Sequence, residues 1–96
     1  MKIISLYKKV GSFAENKDAA RDIRTKKILP LLEKGDEVAV DFKNIDAATQ
    51  SFIHALISDL FRKFGSDVLE RLYFKNCNEV VKKMIGIVCD YMQEGL

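Results

Sequence analysis

The strongest periodicity in the chain runs from Thr49 to Gly65. Phe52, Ile53, Leu56, Ile57, Leu60, Phe61 and Phe64 share one face at the helical period, and Gly65 supplies a natural stop. The opposite face carries Ser51, Ala55, Ser58 and Arg62, so this helix two is expected to show a small, polar side outward. Three other stretches read as strands. "KIISLY", residues 2–7, is rich in β-formers, and Lys2, Lys8 and Lys9 flank it as lysines flank edge strands. "EVAVDF", residues 37–42, sets Val38 and Val40 on one face and Ala39 and Asp41 on the other, the pattern of a strand covered on both sides. "RLYF" is a brief third strand, approached through a turn or short helix over residues 66–71.

Two more helices complete the pattern. Helix one, roughly residues 16–34, opens with an Asn16 cap and an early Asp18 and closes before Gly35. Its apolar positions slip in phase near Lys26 and Lys27, between Ala20 and Ile23 on one side and Ile28, Leu31 and Leu32 on the other. Pro30 removes a backbone donor and crowds the preceding turn, which predicts a kink or break just before it. Helix three is capped by Asn76, with Glu79 three residues on, or by Asn78, and Val81, Met84, Ile85, Val88, Tyr91 and Met92 line its core face. The order β-α-β-α-β-α predicts one α/β domain over residues 1–96, with a small, mostly parallel sheet of three to four strands and three helices. A fourth short strand is expected near residues 10–14.

Composition narrows the function classes. Sixteen basic and 14 acidic residues give a net charge of +2, too balanced to draw nucleic acid or an anionic membrane by charge alone. The amino terminus lacks a long apolar core and a cleavage site, and no run approaches a membrane span, so a cytoplasmic protein with no membrane partner is expected. Cys77 and Cys89 read as structural thiols, and with His54 the only histidine the zinc-ligand spacing is missing. No metal and no cofactor is expected. "GSFAENK" lacks the glycines and the G-K-S/T ending of a phosphate-binding loop, and no catalytic set is recognisable, which argues against an enzyme.

The candidate site is "DFKNIDAATQS", at the carboxyl end of the second strand, where α/β folds usually meet ligands and partners. Thr49 is placed to cap helix two, while Ser51 points away from the apolar stripe and is exposed in the first turn. Both hydroxyls are candidate phosphoacceptors, Ser51 the better one, because a helix amino terminus stabilises an added phosphate. Asp41 and Asp46 read as turn-stabilising carboxylates, and His54 as a boundary residue. Arg21, Arg24, Lys26 and Lys27 form a basic cluster on helix one, in which Asp18 and Asp22 are spaced to pair with Arg21 and Lys26.

The stretch "GDEVAVDFKNIDAATQSFIHALISDLFRKFG", followed by "LYFKNCNEVVKKMI", resembles a STAS-like family of uncharacterised bacterial proteins related to anti-sigma factor antagonists. Gly11, Lys17 and Arg24 stand where that family has a G…(K/R)…R pattern, and the likeness extends over most of the chain from about residue 11. In the antagonists the strand-loop-helix junction carries Asp-Ser-Ser-Gly, whose first serine is phosphorylated by a partner kinase. Aligned through the strand, that motif falls on Thr49, Gln50, Ser51 and Phe52, so Gln50 occupies the phosphoacceptor place and only the second serine is kept, as Ser51. The resemblance implies a STAS-like fold and a regulatory protein-interaction surface, with a histidine-kinase-like ATPase as partner. The expected contacts are Asp46, Thr49, Gln50, Ser51, His54 and Ser58. The rival reading is a small nucleic-acid-binding or adaptor protein that uses the helix-one cations.

Overall fold

The computed structural model describes residues 1–94. Its main sheet has three parallel strands in the order β1 (Lys2–Ser5), β3 (Val38–Asp41), β5 (Leu72–Lys75). The register sets Ile4 beside Val40 and Val40 beside Phe74. In central β3, Val38, Ala39 and Val40 are all fully buried, as expected of a strand covered on both faces. β1 lies at an edge, where its flanking lysines predicted it. It ends at Ser5, two residues early, because Tyr7–Val10 closes into a helical turn, α1, that the sequence reading gave to strand and loop.

A fourth strand does form at Phe13–Ala14 (β2), but it does not extend the main sheet. It pairs in parallel with Ala47–Ala48 (β4) to make a separate two-stranded sheet. The pairing matters for the site, since the Asp46 and Ala47 amides donate to the Ser12 carbonyl at 2.7 and 3.4 Å and the Thr49 amide donates to Ala14 at 2.9 Å. The loop after β3 is thereby fixed to the segment that feeds helix one. Asn44, with φ 68°, takes the left-handed turn between β3 and β4.

Helix one is continuous but not uniform. α2 (Lys17–Ile23) runs into a π-helical turn (Arg24–Ile28) and then into α3 (Leu29–Glu33), and the Leu29 amide reaches back five residues to the Arg24 carbonyl. This turn is the phase slip seen in the sequence. One extra residue per turn moves the buried positions from Ala20 and Ile23 to Ile28 and Leu32 without breaking the helix. Asn16 caps α2, accepting from the Asp18 and Ala19 amides.

α4 (Gln50–Phe64) buries its predicted stripe, with Phe52, Ile53, Leu56, Ile57 and Phe61 fully covered. A 3₁₀ segment (Gly65–Glu70) leads to β5, and α5 (Glu79–Glu94) closes the fold. Of the two cap candidates it is Asn78 whose side chain accepts from the Val81 amide, at 2.8 Å, while Asn76 turns the chain with φ 57°. Val81, Ile85, Val88 and Met92 face the core as expected; Tyr91 does not, and is 64% exposed. It lies at the edge of the apolar arc, where an amphipathic ring can turn outward.

Candidate functional site

The junction before α4 is built from backbone pairing and two side-chain caps. Thr49 is extended, and its hydroxyl accepts from the Phe52 amide at 3.1 Å, so it is the helix cap. Asp46 is exposed. The carbonyl of Asp46 accepts from Asn78 Nδ2 at 2.8 Å, and that of Ile45 does so at 3.4 Å. One asparagine therefore starts α5 and ties down the loop ahead of α4. Asp41 accepts from the Lys43 amide and from Asn76 Nδ2, each at 2.9 Å, and the Asn76 bond foremost holds its carboxyl below the usual range.

Helix two differs from expectation on its supposed outer face. Ser58 is 3% exposed and Ala55 8%, so neither stands in solvent. The reason is size: Ala and Ser let another helix approach closely, and α2 packs on this side of α4. Arg24 fixes the contact. Its guanidinium donates to the Ala55 carbonyl at 2.6 Å and pairs with Asp59 at 3.2 Å, and its side chain is only 15% exposed. Asp59 also holds Arg62 at 2.6 Å.

Where the two helices diverge at the surface they leave a groove of about 520 Å³. Lys17, Arg21 and Arg24 form the α2 wall, at positions one turn apart. The α4 wall starts with the exposed Gln50 and Ser51 and the half-buried His54, and ends at Asp59 and Arg62. Ala55 and Ser58 lie between them as the floor. Four of the predicted contacts, Gln50, Ser51, His54 and Ser58, thus share one concave site, whereas Asp46 and Thr49 lie outside its lining.

The basic cluster of helix one is divided. Arg21 and Arg24 face the groove; Lys26 and Lys27 border a separate small crevice with Lys9 and Asp22. The predicted pairs Asp18–Arg21 and Asp22–Lys26 form at 3.3 and 3.1 Å, both well exposed. The groove residues missed by the sequence reading are Asp59 and Arg62 as ion-pair partners and Lys17 as a wall. Their signal was the recurrence of polar positions 51, 54, 58 and 62 opposite 17, 21 and 24, which only the packing of α2 on α4 brings into register.

Among the described residues no three His, Cys, Asp or Glu side chains gather as metal ligands would, and no helix is long and apolar enough to cross a membrane. Cys77 and Cys89 are half-buried, and burial raises both thiols above their ordinary pKa.

The described residues thus form a parallel α/β sheet with a capped helix amino terminus beside the loop after its central strand. A family described as a STAS-like domain of unknown function matches residues 19–82, well over half of the chain, and the protein belongs to that family. No curated protein and no solved structure matches it.

Proposed function

We propose that this protein is a non-enzymatic regulatory module that docks a partner protein through the loop before α4 and the mouth of the adjoining groove. The observation that carries this reading is the exposure of Gln50 and Ser51 at the start of a rigidly held helix, on the rim of a cavity. β2–β4 pairing, the Asn78 clamp and the Thr49 cap fix that rim, so a partner meets a preformed surface and spends little free energy on ordering it. The resemblance to anti-sigma factor antagonists supports a histidine-kinase-like ATPase as the partner class. Ser51 is the residue such a kinase reaches, since it is exposed, whereas Thr49 is half-buried with its hydroxyl engaged in the cap. Ser58, buried beneath α2, supports the groove floor and is not a direct contact.

A photocrosslinking residue placed at Gln50 in the native host, with one at Asp67 as control, tests the docking. A single protein captured from Gln50 and not from Asp67, and lost in Ser51→Arg, is the expected result; equal capture at both positions refutes the site. Intact-mass measurement of protein from the same cells reads phosphorylation separately. The rival use of the helix-one cations for nucleic acid has less support, because they face two different directions and lack an adjoining aromatic platform.

A further inference from the structure

The groove has a chemical character of its own. Four cationic side chains line it against one carboxylate, Asp59, and that carboxylate is already shared by Arg24 and Arg62. The two cations at the far end of the groove are therefore ion-paired within it, whereas those nearest the α4 amino terminus have no carboxylate in the lining beside them. There Lys17 enters no ion pair among the described residues, and Arg21 has only a 3.3 Å contact with Asp18 on its own helix. Across from them the Gln50 and Ser51 amides open a 15-residue helix and have no intrahelical acceptor, and the helix dipole adds partial positive charge. Deeper in, Ser58 is almost wholly buried and lines the cavity.

We propose that this end of the groove is a binding site for a phosphate monoester, held between Lys17 and Arg21 on α2 and the first turn of α4. The donors lie on two facing walls, an ammonium and a guanidinium on one and backbone amides on the other, an arrangement that suits the terminal oxygens of a tetrahedral dianion better than one flat carboxylate. The cavity lies in the range of small-ligand sites, so the group that carries the phosphate also has room along the groove toward His54. Arg24 is a positioning residue: its bonds to Ala55 and Asp59 hold the α2 wall at its distance from α4. The phosphate has two sources with this chemistry, a free small phosphate ester or a phosphorylated side chain of the docked partner. The second of these rests on the docking reading above.

The test is a ¹H–¹⁵N titration of the 96-residue chain at constant ionic strength with inorganic phosphate, a nucleoside monophosphate and a phosphoserine peptide, with chloride as control. Saturable shifts at Gln50, Ser51 and Lys17 are expected. The double variant Lys17→Gln/Arg21→Gln weakens binding by about tenfold or more, while Lys26→Gln/Lys27→Gln, which removes the same charge from the other side of the helix, changes it less than about twofold. Equal losses in the two double variants, or shifts that do not saturate with any phosphate ligand, overturn the site. Tight binding of the peptide alone assigns the phosphate to a partner, and tight binding of the monophosphate assigns it to a free ester. Gln50 crosslinking that survives phosphatase treatment and the Lys17/Arg21 substitutions, in a chain that shows no saturable phosphate binding, leaves the docking reading standing and removes this one. Phosphate binding without any crosslinked partner does the reverse.

Discussion

Replacing Arg24 with methionine removes the guanidinium while keeping most of the aliphatic stem. Two interactions go with it, a charged hydrogen bond to the Ala55 carbonyl at 2.6 Å and an ion pair with Asp59 at 3.2 Å. The first is largely shielded from solvent and is worth about 2 kcal/mol as a hydrogen bond to a charged group. The second adds little: Asp59 is half exposed and keeps Arg62, so its share is at most about 0.5 kcal/mol. For a domain of this size a loss of about 2 kcal/mol lowers Tm by about 8–16 °C. Urea unfolding followed by circular dichroism measures it, with Arg62→Met as the exposed comparison expected to cost under about 0.5 kcal/mol. Arg24→Lys falls between the two, since one ammonium lacks the fork that reaches both acceptors. If Arg24→Met and Arg62→Met destabilise equally, Arg24 does not clamp α2 to α4 and the wall of the groove is held by apolar packing alone.

Three further outcomes are expected. Thr49→Ala costs about 1 kcal/mol as a lost cap, and Asn78→Ala about 2–3 kcal/mol, because its side chain also donates to the Asp46 and Ile45 carbonyls; comparable losses in urea unfolding would detach Asn78 from the loop. Asn76→Gly, which keeps the left-handed backbone, raises the carboxyl pKa of Asp41 in a ¹³C titration. Because the folded pKa is depressed, that contribution is present above the unfolded value near about 4 and disappears as pH falls through the folded one, so the stability gap to wild type closes in acid; an unmoved Asp41 titration refutes the assignment. Cys77 and Cys89, with thiols raised by burial, react with iodoacetamide at pH 8 at least about tenfold more slowly than in denaturant; a fast thiol in the folded chain contradicts the packing.

The sequence made some elements readable because one physical requirement governed each of them. The α4 stripe, the covered β3 strand and the Thr49 cap are such cases, where periodicity or a single hydrogen bond decides the outcome. The outer face of α4 was misread for a definite reason: Ala55 and Ser58 look like solvent positions, yet small side chains also mark the place where a second helix comes close. Arg24 belongs to the same problem, since nothing within its own helix distinguishes it from Arg21 or Lys27, and its partners lie 31 and 35 positions along the chain. The short β2–β4 pair was half legible. Its location was foreseen near residues 10–14, but two residues carry no information about which strand they join.

The π-turn at Arg24–Ile28 has a consequence for how relatives are to be compared with this chain. An uninterrupted α-helix holds one residue fewer over the same span, so gapless superposition on such a helix would rotate everything on one side by about 100°. Anchored on Ile28 and Leu32, it would put the groove-facing positions at 18, 22 and 25, occupied here by two aspartates and a threonine. A single gap inside Arg24–Ile28 restores Lys17, Arg21 and Arg24. The cationic wall of a relative is thus to be sought by counting from the Asn16 cap forward, not from the proline backward.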